Sequence, residues 1–374
     1  MKRILRIARS IYNPESISPQ NISGTDIQVY RFIKSLSNDI EQDIFTIKNI
    51  DFHCNNVKCY SPKFLGIEIF SLNFSCIKHL RENKNKYDAV QIHASSELFP
   101  LIIGEIISCV YKIPVVYTFH CCRNVTYRGK KIEIITNPIV NYLEKRCIRH
   151  ATHNVFLSNH VVQKLLEKKV LLNTDKVSII GDAIQIDNIA IPEETKTHDA
   201  NHKVEILYVG RISHEKGWDI FVECARKLQD KDYIFKMYGP GPDTKKLKEK
   251  MEQYKLNNLE YHGFIPNEEV LPILSKADII VIPSYYEELG SVVLEAGLAK
   301  KTVIASSTGA LTEILSEGRG YTVPVGDVDG FCSNIVNITE SNNYSSGQLL
   351  YDYICKHYSM TNVTNKYMDI YNNI

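Results

Sequence analysis

Two doubly wound α/β domains are what this sequence predicts, and three observations predict them. Short apolar, β-branched runs alternate with longer helical patterns along the whole chain, which is how parallel strands joined by crossover helices read. The alternation lapses once, in "DNIAIPEETKTHDANHK" from Asp187 to Lys203, a polar stretch with a proline and no sustained periodicity. The length, 374 residues, exceeds what a single hydrophobic core usually serves. A first domain over 1–186, a linker over 187–203 and a second domain over 204–357 follow.

In the first domain the strands are "RILRIA", "DIFTI", "DAVQIH", "PVVYTFH" and "THNVFL", with "DIQVYRFIKSL" and "ELFPLIIGEIISCVY" among the helices. The most apolar passage, Leu98 to Phe119, contains Glu105, Lys112 and Pro114, so it divides into a helix and a strand rather than crossing a membrane. In the second domain the strands are "VEILYVG", "YIFKMYG", "NLEYHGF", "DIIVIPS" and "KTVIAS", with the helices "WDIFVECARKL" and "DTKKLKEKMEQYK" between them. The final stretch, about 358–374, reads as a helix returning to the first domain.

Composition narrows the function. The chain is 44% hydrophobic and 23% charged with a net charge of +1, an ordinary globular balance that argues against a general nucleic-acid binder. Ten cysteines show no disulfide framework and no CxxC pair, so structural zinc is not expected and a reducing cytoplasm is. Arg6 and Arg9 interrupt what a signal peptide would need as an apolar core. The basic run "RNVTYRGKK" reads as a solvated loop, with contact at an anionic inner membrane face as the alternative.

Four stretches carry candidate chemistry. In "LYVGRISHEKGWDIF" a strand ends at Val209, Gly210 turns the chain, and Arg211 and Lys216 follow at the ligand edge of the sheet. Two cations there suit a diphosphate, although a solvated basic loop is the bland reading. In "MYGPGPDTKKL", Gly239 and Gly241 follow a strand, but Thr244 stands where a dinucleotide fingerprint wants a third small residue. Asp243 reads as the cap of the next helix. In "ADIIVIPSYYEELGSVVLEAGLA" the carboxylates Glu287, Glu288 and Glu295 interrupt an apolar strand–turn–helix passage, with Ser291 read as the helix cap. Buried carboxylates need partners, and ligand hydroxyls at that edge are suitable ones. "GDVDG" holds Asp327 and Asp329, for which helix capping is a better account than a metal site.

Taken together, "GRISHEKG", "YGPGP", "YHGFIPNEEV", "PSYYEELGSVVLEAGLAKKTVIAS" and "TGALTEIL…GRGYTVPVGD" stand in order and at suitable distances. In this the second half, and more loosely the first, resembles the retaining nucleotide-sugar glycosyltransferases of family four. The resemblance implies a GT-B fold, with two Rossmann-like domains facing a central cleft. Arg211 and Lys216 would hold the donor diphosphate, Glu295 the ribose hydroxyls and Glu287 the hexose hydroxyls. Gly210, Gly239, Leu289, Gly290 and Ser291 would line the donor site, and the base would lie against Phe264 and Ile265. "NISGTDIQVYRFIKSL" resembles the family's glycine loop, with Gly24 at the phosphates and Ser23 where many relatives have a second glycine. His120, ending "YTFH", matches an acceptor-side histidine. His93 and Glu313 are further acceptor-side or sugar-side candidates.

The same resemblance implies transfer with retention. The departing diphosphate would take the acceptor's proton, and no metal or other cofactor would be needed beyond the nucleotide-sugar cosubstrate, a UDP-sugar. A narrower resemblance, in "SGTDIQVYRFIKSLSNDIEQDIFTI" and "TFHCCRNVTYRGK", is to transferases that place N-acetylglucosamine on 2-deoxystreptamine. Lipid-linked and polysaccharide acceptors stay open, as does oligomeric state. A nucleotide-sugar 2-epimerase of the same fold, a nicotinamide dehydrogenase and a non-catalytic glycan-binding protein are the competing classes.

Overall fold

The computed structural model describes residues 1–12, 24–47, 50, 52, 54–61, 68–95, 98–125, 131–186 and 203–374. Nearly all of the 187–203 linker, Ser23 and most of "RNVTYRGKK" lie outside the described residues. The described chain divides into two compact units, Met1–Ala183 with Met360–Ile374, and Ile184–Ser359.

The first unit is a seven-stranded sheet in the order β3-β2-β1-β4-β5-β6-β7, with every pairing parallel. Its strands are β1 (Arg3–Ile7), β2 (Glu41–Phe45), β3 (Val57–Tyr60), β4 (Ala89–Ser95), β5 (Val115–Cys121), β6 (His153–Phe156) and β7 (Val177–Ile179). Helices α1 (Gly24–Ser35), α2 (Glu68–Asn83), α3 (Leu98–Ile106), α4 (Lys131–His150) and α5 (Asn159–Glu167) connect them, α3 running on through a π turn, Ile107–Tyr111. Successive strand residues face opposite sides. Ile4, Ala89, Val116 and Val155 pack with Val363, Tyr367, Ile370 and Tyr371 of the C-terminal helix, Met360–Asn372. Leu5, Val90, Val115 and Phe156 pack into the opposite core with Leu72, Leu101 and Val161. A sheet covered on both faces needs near-continuous apolar strands, which is why these runs lack an alternating pattern.

A guanidinium is buried in that sheet. Arg6 is fully buried on β1, where its Nε donates to Gln42 Oε1 at 2.5 Å and its Nη1 to Tyr371 Oη at 3.1 Å. Gln91 Oε1 takes both Arg6 Nη1 and the Tyr371 hydroxyl. The C-terminal helix is therefore tied to the first unit by polar as well as apolar contacts.

The second unit is a six-stranded parallel sheet in the order β10-β9-β8-β11-β12-β13. The strands are β8 (Val204–Val209), β9 (Tyr233–Tyr238), β10 (Leu259–Gly263), β11 (Ile279–Ile282), β12 (Thr302–Ser306) and β13 (Tyr321–Val323). The helices are α6 (Trp218–Lys227), α7 (Thr244–Tyr254), α8 (Asn267–Leu274), α9 (Ser291–Leu298), α10 (Leu311–Ile314), α11 (Val328–Ser341) and α12 (Ser346–Tyr358). Strand order reverses between β8 and β11, and sheets of this kind bind ligands at the carboxyl edge of such a switch point. Arg211–Lys216 follows β8 and Ser284–Ser291 follows β11 at that edge. Among the described residues no helix is long and apolar enough to cross a membrane.

Candidate active site

The loop after β8 is laced to the end of β9 and to the loop after β11. Gly210 donates its amide to Tyr238 O at 3.0 Å and Tyr285 donates its amide to Glu215 O at 3.0 Å. Lys216 closes a short 3₁₀ turn, and Gly217, at φ +66°, starts α6. From there Lys216 Nζ reaches Glu287 Oε1 at 2.6 Å, and Ser284 Oγ donates to the same oxygen at 2.9 Å. Glu287 is 8% exposed, so the ammonium and the hydroxyl are what make its burial tolerable.

Two glycines make this packing possible. Gly239, at φ +128°, sits so close to the β8 turn that a Cβ would stand 2.0 Å from Gly210 O. Gly309, at φ +54°, leaves 1.8 Å between a Cβ and Glu287 O. Any side chain at either position would push the backbone apart. Glu288 is buried beside this contact, accepting from the Tyr286 hydroxyl at 2.9 Å, while its carbonyl accepts from Ala310 N at 3.1 Å.

Arg211 behaves differently from Lys216. Its side chain is 55% exposed and pairs with Glu215 Oε1 at 2.7 Å. Burial by itself raises the Glu215 carboxyl, but its own backbone amide, Arg211, Ser213 and Lys216 outweigh burial and hold it below its ordinary value.

The remaining second-unit candidates divide. Leu289 is buried, Gly290 caps α9 with φ +84°, Ser291 is the first residue of α9, and Glu295 lies half-buried on that helix. Ser291 is thus not the cap that the sequence suggests: the positive φ needed just before the helix selects the glycine. Asp243 likewise stands at the cap position of α7 without a capping bond. Its carboxylate is taken by Trp218 Nε1 at 3.4 Å and Lys246 Nζ at 2.8 Å. Phe264 is exposed and Ile265 half-buried just after β10, next to a Tyr238–His262 stack with centroids 4.6 Å apart. Glu313 is exposed on α10, where its charge is felt by Tyr353 and Tyr358. Asp327 Oδ1 caps α11 by accepting from Gly330 N at 2.9 Å, and Asp329 pairs with Lys227.

In the first unit, Gly24 opens α1. His93 on β4 and His120 on the adjacent β5 stand with His93 Nδ1 and His120 Nε2 3.1 Å apart and rings stacked at 5.4 Å. Asp182 Oδ1 lies 3.5 Å from His120 Nδ1. Burial first, then His120 and Arg6, hold His93 well below its ordinary value, so it is neutral. Glu144, on α4 and 1% exposed, organises the loop after His120. Its carboxylate accepts from Arg123 N at 2.9 Å, Asn124 N at 2.8 Å, Asn124 Nδ2 at 2.6 Å and Cys122 Sγ at 3.2 Å. Sequence reasoning singled out neither Glu144 and Asp182 here nor Ser284 and Glu215 in the second unit. Each reads in isolation as an ordinary surface residue.

Glu105, Cys109 and His150 also stand together in the first unit. The Glu105 Oε1 they share already takes Arg146 Nε at 2.8 Å and His150 Nδ1 at 2.9 Å, which makes the group an ion-pair hub.

With this geometry in hand, comparison with known proteins decides the family. The family model described as Glycosyltransferase Family 4 matches residues 22–188, and that described as Glycosyl transferases group 1 matches residues 191–346. The chain is a family 4 glycosyltransferase. This transferase is 29% identical over 283 residues to a 2-deoxystreptamine N-acetyl-D-glucosaminyltransferase of Niallia circulans, covering 73% of this chain and 72% of that one. It is 27% identical over 241 residues to a 2-deoxystreptamine glucosyltransferase of Streptomyces kanamyceticus, covering 62% of each. Among solved structures, sucrose-phosphate synthase from Thermosynechococcus elongatus superposes with a TM-score of 0.80 at 18% identity, covering 100% of this chain and 99% of that one. HepE of Anabaena, solved with UDP, superposes with a TM-score of 0.76 at 15% identity over 100% of both chains. At such identity these two establish the fold of the glycosyltransferase, which is GT-B.

Proposed function

We propose that the protein transfers a hexose or N-acetylhexosamine from a UDP-sugar to a hydroxyl of an aminocyclitol, with retention at the anomeric carbon. The observation that carries this reading is the Lys216–Ser284–Glu287 junction at the switch-point edge, where a cation and a buried carboxylate meet beside a helix start. The relatives named for 2-deoxystreptamine support the acceptor class, and the UDP in the Anabaena structure supports the donor.

The exposed Arg211–Glu215 pair is worth little in water, so a diphosphate readily takes Arg211 from Glu215. Lys216 is 30% exposed and turns one of its three donors to the diphosphate while keeping Glu287 oriented. Glu287 then accepts from the hexose hydroxyls and Glu295 from the ribose. Gly210, Gly239, Gly290 and Ser291 admit the phosphates, with Leu289 against the sugar and Phe264 and Ile265 beside the base. Within the first unit, His120, stacked on His93, serves the acceptor side in this reading. As the glycosidic bond breaks, negative charge grows on the diphosphate and the two cations stabilise it. In this reading Glu287 serves as a hydroxyl acceptor and not as a nucleophile. The departing diphosphate takes the acceptor's proton on the face it is leaving. No step runs through a metal ion.

The test is incubation of the full chain with a panel of nucleotide sugars and 2-deoxystreptamine, in buffer with EDTA. An α-linked product from a UDP-α-sugar is expected, read from the anomeric proton coupling. Inverted product, no transfer with any donor, or a 2-epimer from donor alone would refute the reading. One observation favours a glycan acceptor instead. A Klebsiella pneumoniae protein of a cps region is 23% identical over 80% of this chain and 82% of its own. A polysaccharide or lipid-linked acceptor that outcompetes 2-deoxystreptamine would move the assignment there.

A further inference from the structure

His120 has both ring nitrogens committed inside the first unit. Nε2 faces His93 Nδ1 at 3.1 Å, and Nδ1 faces Asp182 Oδ1 at 3.5 Å. That second contact is within ion-pair reach but is not a formed hydrogen bond, and Nδ1 is buried with no other hydrogen-bond partner. We propose that Asp182 is a positioning residue, which fixes the proton of His120 on Nδ1 and through that ring sets the tautomer of His93.

A neutral imidazole has one N–H and one lone pair. A lone pair on Nδ1 would face a carboxylate oxygen from inside a buried pocket, two acceptors with nothing between them. A proton on Nδ1 turns the same contact into a charge-assisted hydrogen bond, completed by a small ring rotation. Nε2 of His120 is then the lone pair. The 3.1 Å contact therefore requires His93 to carry its proton on Nδ1, leaving the buried His93 Nε2 unprotonated and without a partner. The surrounding groups keep His93 neutral and pack around the pair. Arg6 on β1 opposes a positive charge on His93. The Phe32 ring of α1 meets the His93 ring edge at 6.2 Å. Tyr367 of the C-terminal helix feels the charge of Asp182. The chain Asp182–His120–His93 thus has one direction, set at its acidic end.

The consequence concerns the reaction. A histidine held at both nitrogens cannot take a proton from an incoming hydroxyl without breaking one of those contacts, so His120 is an oriented ring and not the base. This deepens the reading in which the leaving diphosphate accepts the proton, and its kinetic part rests on that reading. The tautomer assignment does not.

The experiment pairs nitrogen NMR of the histidine-labelled full chain with steady-state kinetics on Asp182→Asn, Asp182→Glu and His120→Ala. Wild-type His120 is expected as the Nδ1–H form. In Asp182→Asn the amide can donate to Nδ1, so the ring should shift towards Nε2–H. The same variant should lose about ten- to a hundredfold in kcat, the size of one charge-assisted hydrogen bond, with the donor KM unchanged. Asp182→Glu should restore the tautomer and most of the rate. A wild-type His120 in the Nε2–H form would overturn the proposal, as would Asp182→Asn losing rate with its tautomer unchanged. If Asp182→Asn does not fold, the wild-type spectrum and Asp182→Glu decide alone. His120→Ala at wild-type turnover would instead refute the acceptor-side role of His120 while leaving the tautomer assignment standing.

Discussion

The Lys216–Glu287 pair of the second unit and the histidine pair of the first both take polar groups out of water, by opposite means. Glu287 is compensated by a full charge on a side chain that remains 30% exposed, so an anionic ligand can compete for Lys216 without unfolding anything. His93 and His120 are compensated by each other and by Asp182, with side chains 6% and 12% exposed for His120 and Asp182. That arrangement is a frame, because removing any member leaves a buried ring nitrogen unmatched. Exchangeable partners suit a side chain to meeting a ligand, and fixed ones suit it to holding a geometry.

The most severe way to break this comparison is to remove both cations. Arg211→Ala with Lys216→Ala should cut transfer by about a thousandfold or more, since each is asked to stabilise charge on the leaving group. The melting temperature should change little. Near-normal turnover would make the pair structural, no different in kind from the histidines.

Less drastic is Glu295→Gln, which should weaken nucleotide-sugar binding about ten- to a hundredfold by calorimetry, through lost charged hydrogen bonds. Unchanged affinity would take α9 out of the binding edge.

On the side of the frame, Tyr371→Phe removes the hydroxyl that accepts from Arg6 Nη1 and donates to Gln91. Urea unfolding should show a loss of about 1–3 kcal/mol for the groups left unpaired. A neutral result would mean that Arg6 finds other partners.

The smallest effect is a pH dependence at a surface network of the second unit. Burial raises Glu223, but Arg226, Lys250 and Tyr254 overcome it and bring the carboxyl from 4.5 to about 2. Its folded value is depressed, so its contribution is present above the unfolded carboxylate's value and is lost as pH falls towards about 2. Glu223→Gln should therefore lower the melting temperature slightly near neutral pH, with the gap to wild type closing on acidification. A gap independent of pH would show that packing, not charge, is lost.

The parts of the fold that were legible in the sequence, and those that were not, have a common physical basis. Interior strands such as β5 and β11 are buried on both faces, so "PVVYTFH" and "DIIVIPS" stand out as apolar runs. The three strands not anticipated, β3, β7 and β13, are all sheet edges. Their residues "VKCY", "VSI" and "YTV" are partly exposed and too short for any period to appear. At the site, Glu287 was legible because a carboxylate in an apolar passage is conspicuous. Glu144, in "NYLEKRCIRH", was not, because a helix with polar neighbours hides which carboxylate turns inward. Asp182, between Gly181 and Ala183 after β7, belongs to no motif, and only the folded chain brings it to His120.

The C-terminal helix closes the first unit although some 176 residues of the second unit, Ile184–Ser359, separate it from the rest of that unit. On the ribosome, which delivers the chain from its N-terminal end, the second unit is complete before the first can be. Until the C-terminal helix emerges, Arg6 lacks its Tyr371 partner, and the sheet surface of Ile4, Ala89, Val116 and Val155 has only part of its cover, from Phe32, Leu36 and Ile40. The nascent protein thus passes through a stage in which its earliest-made half is the unfinished one, and the window for misassociation lies there.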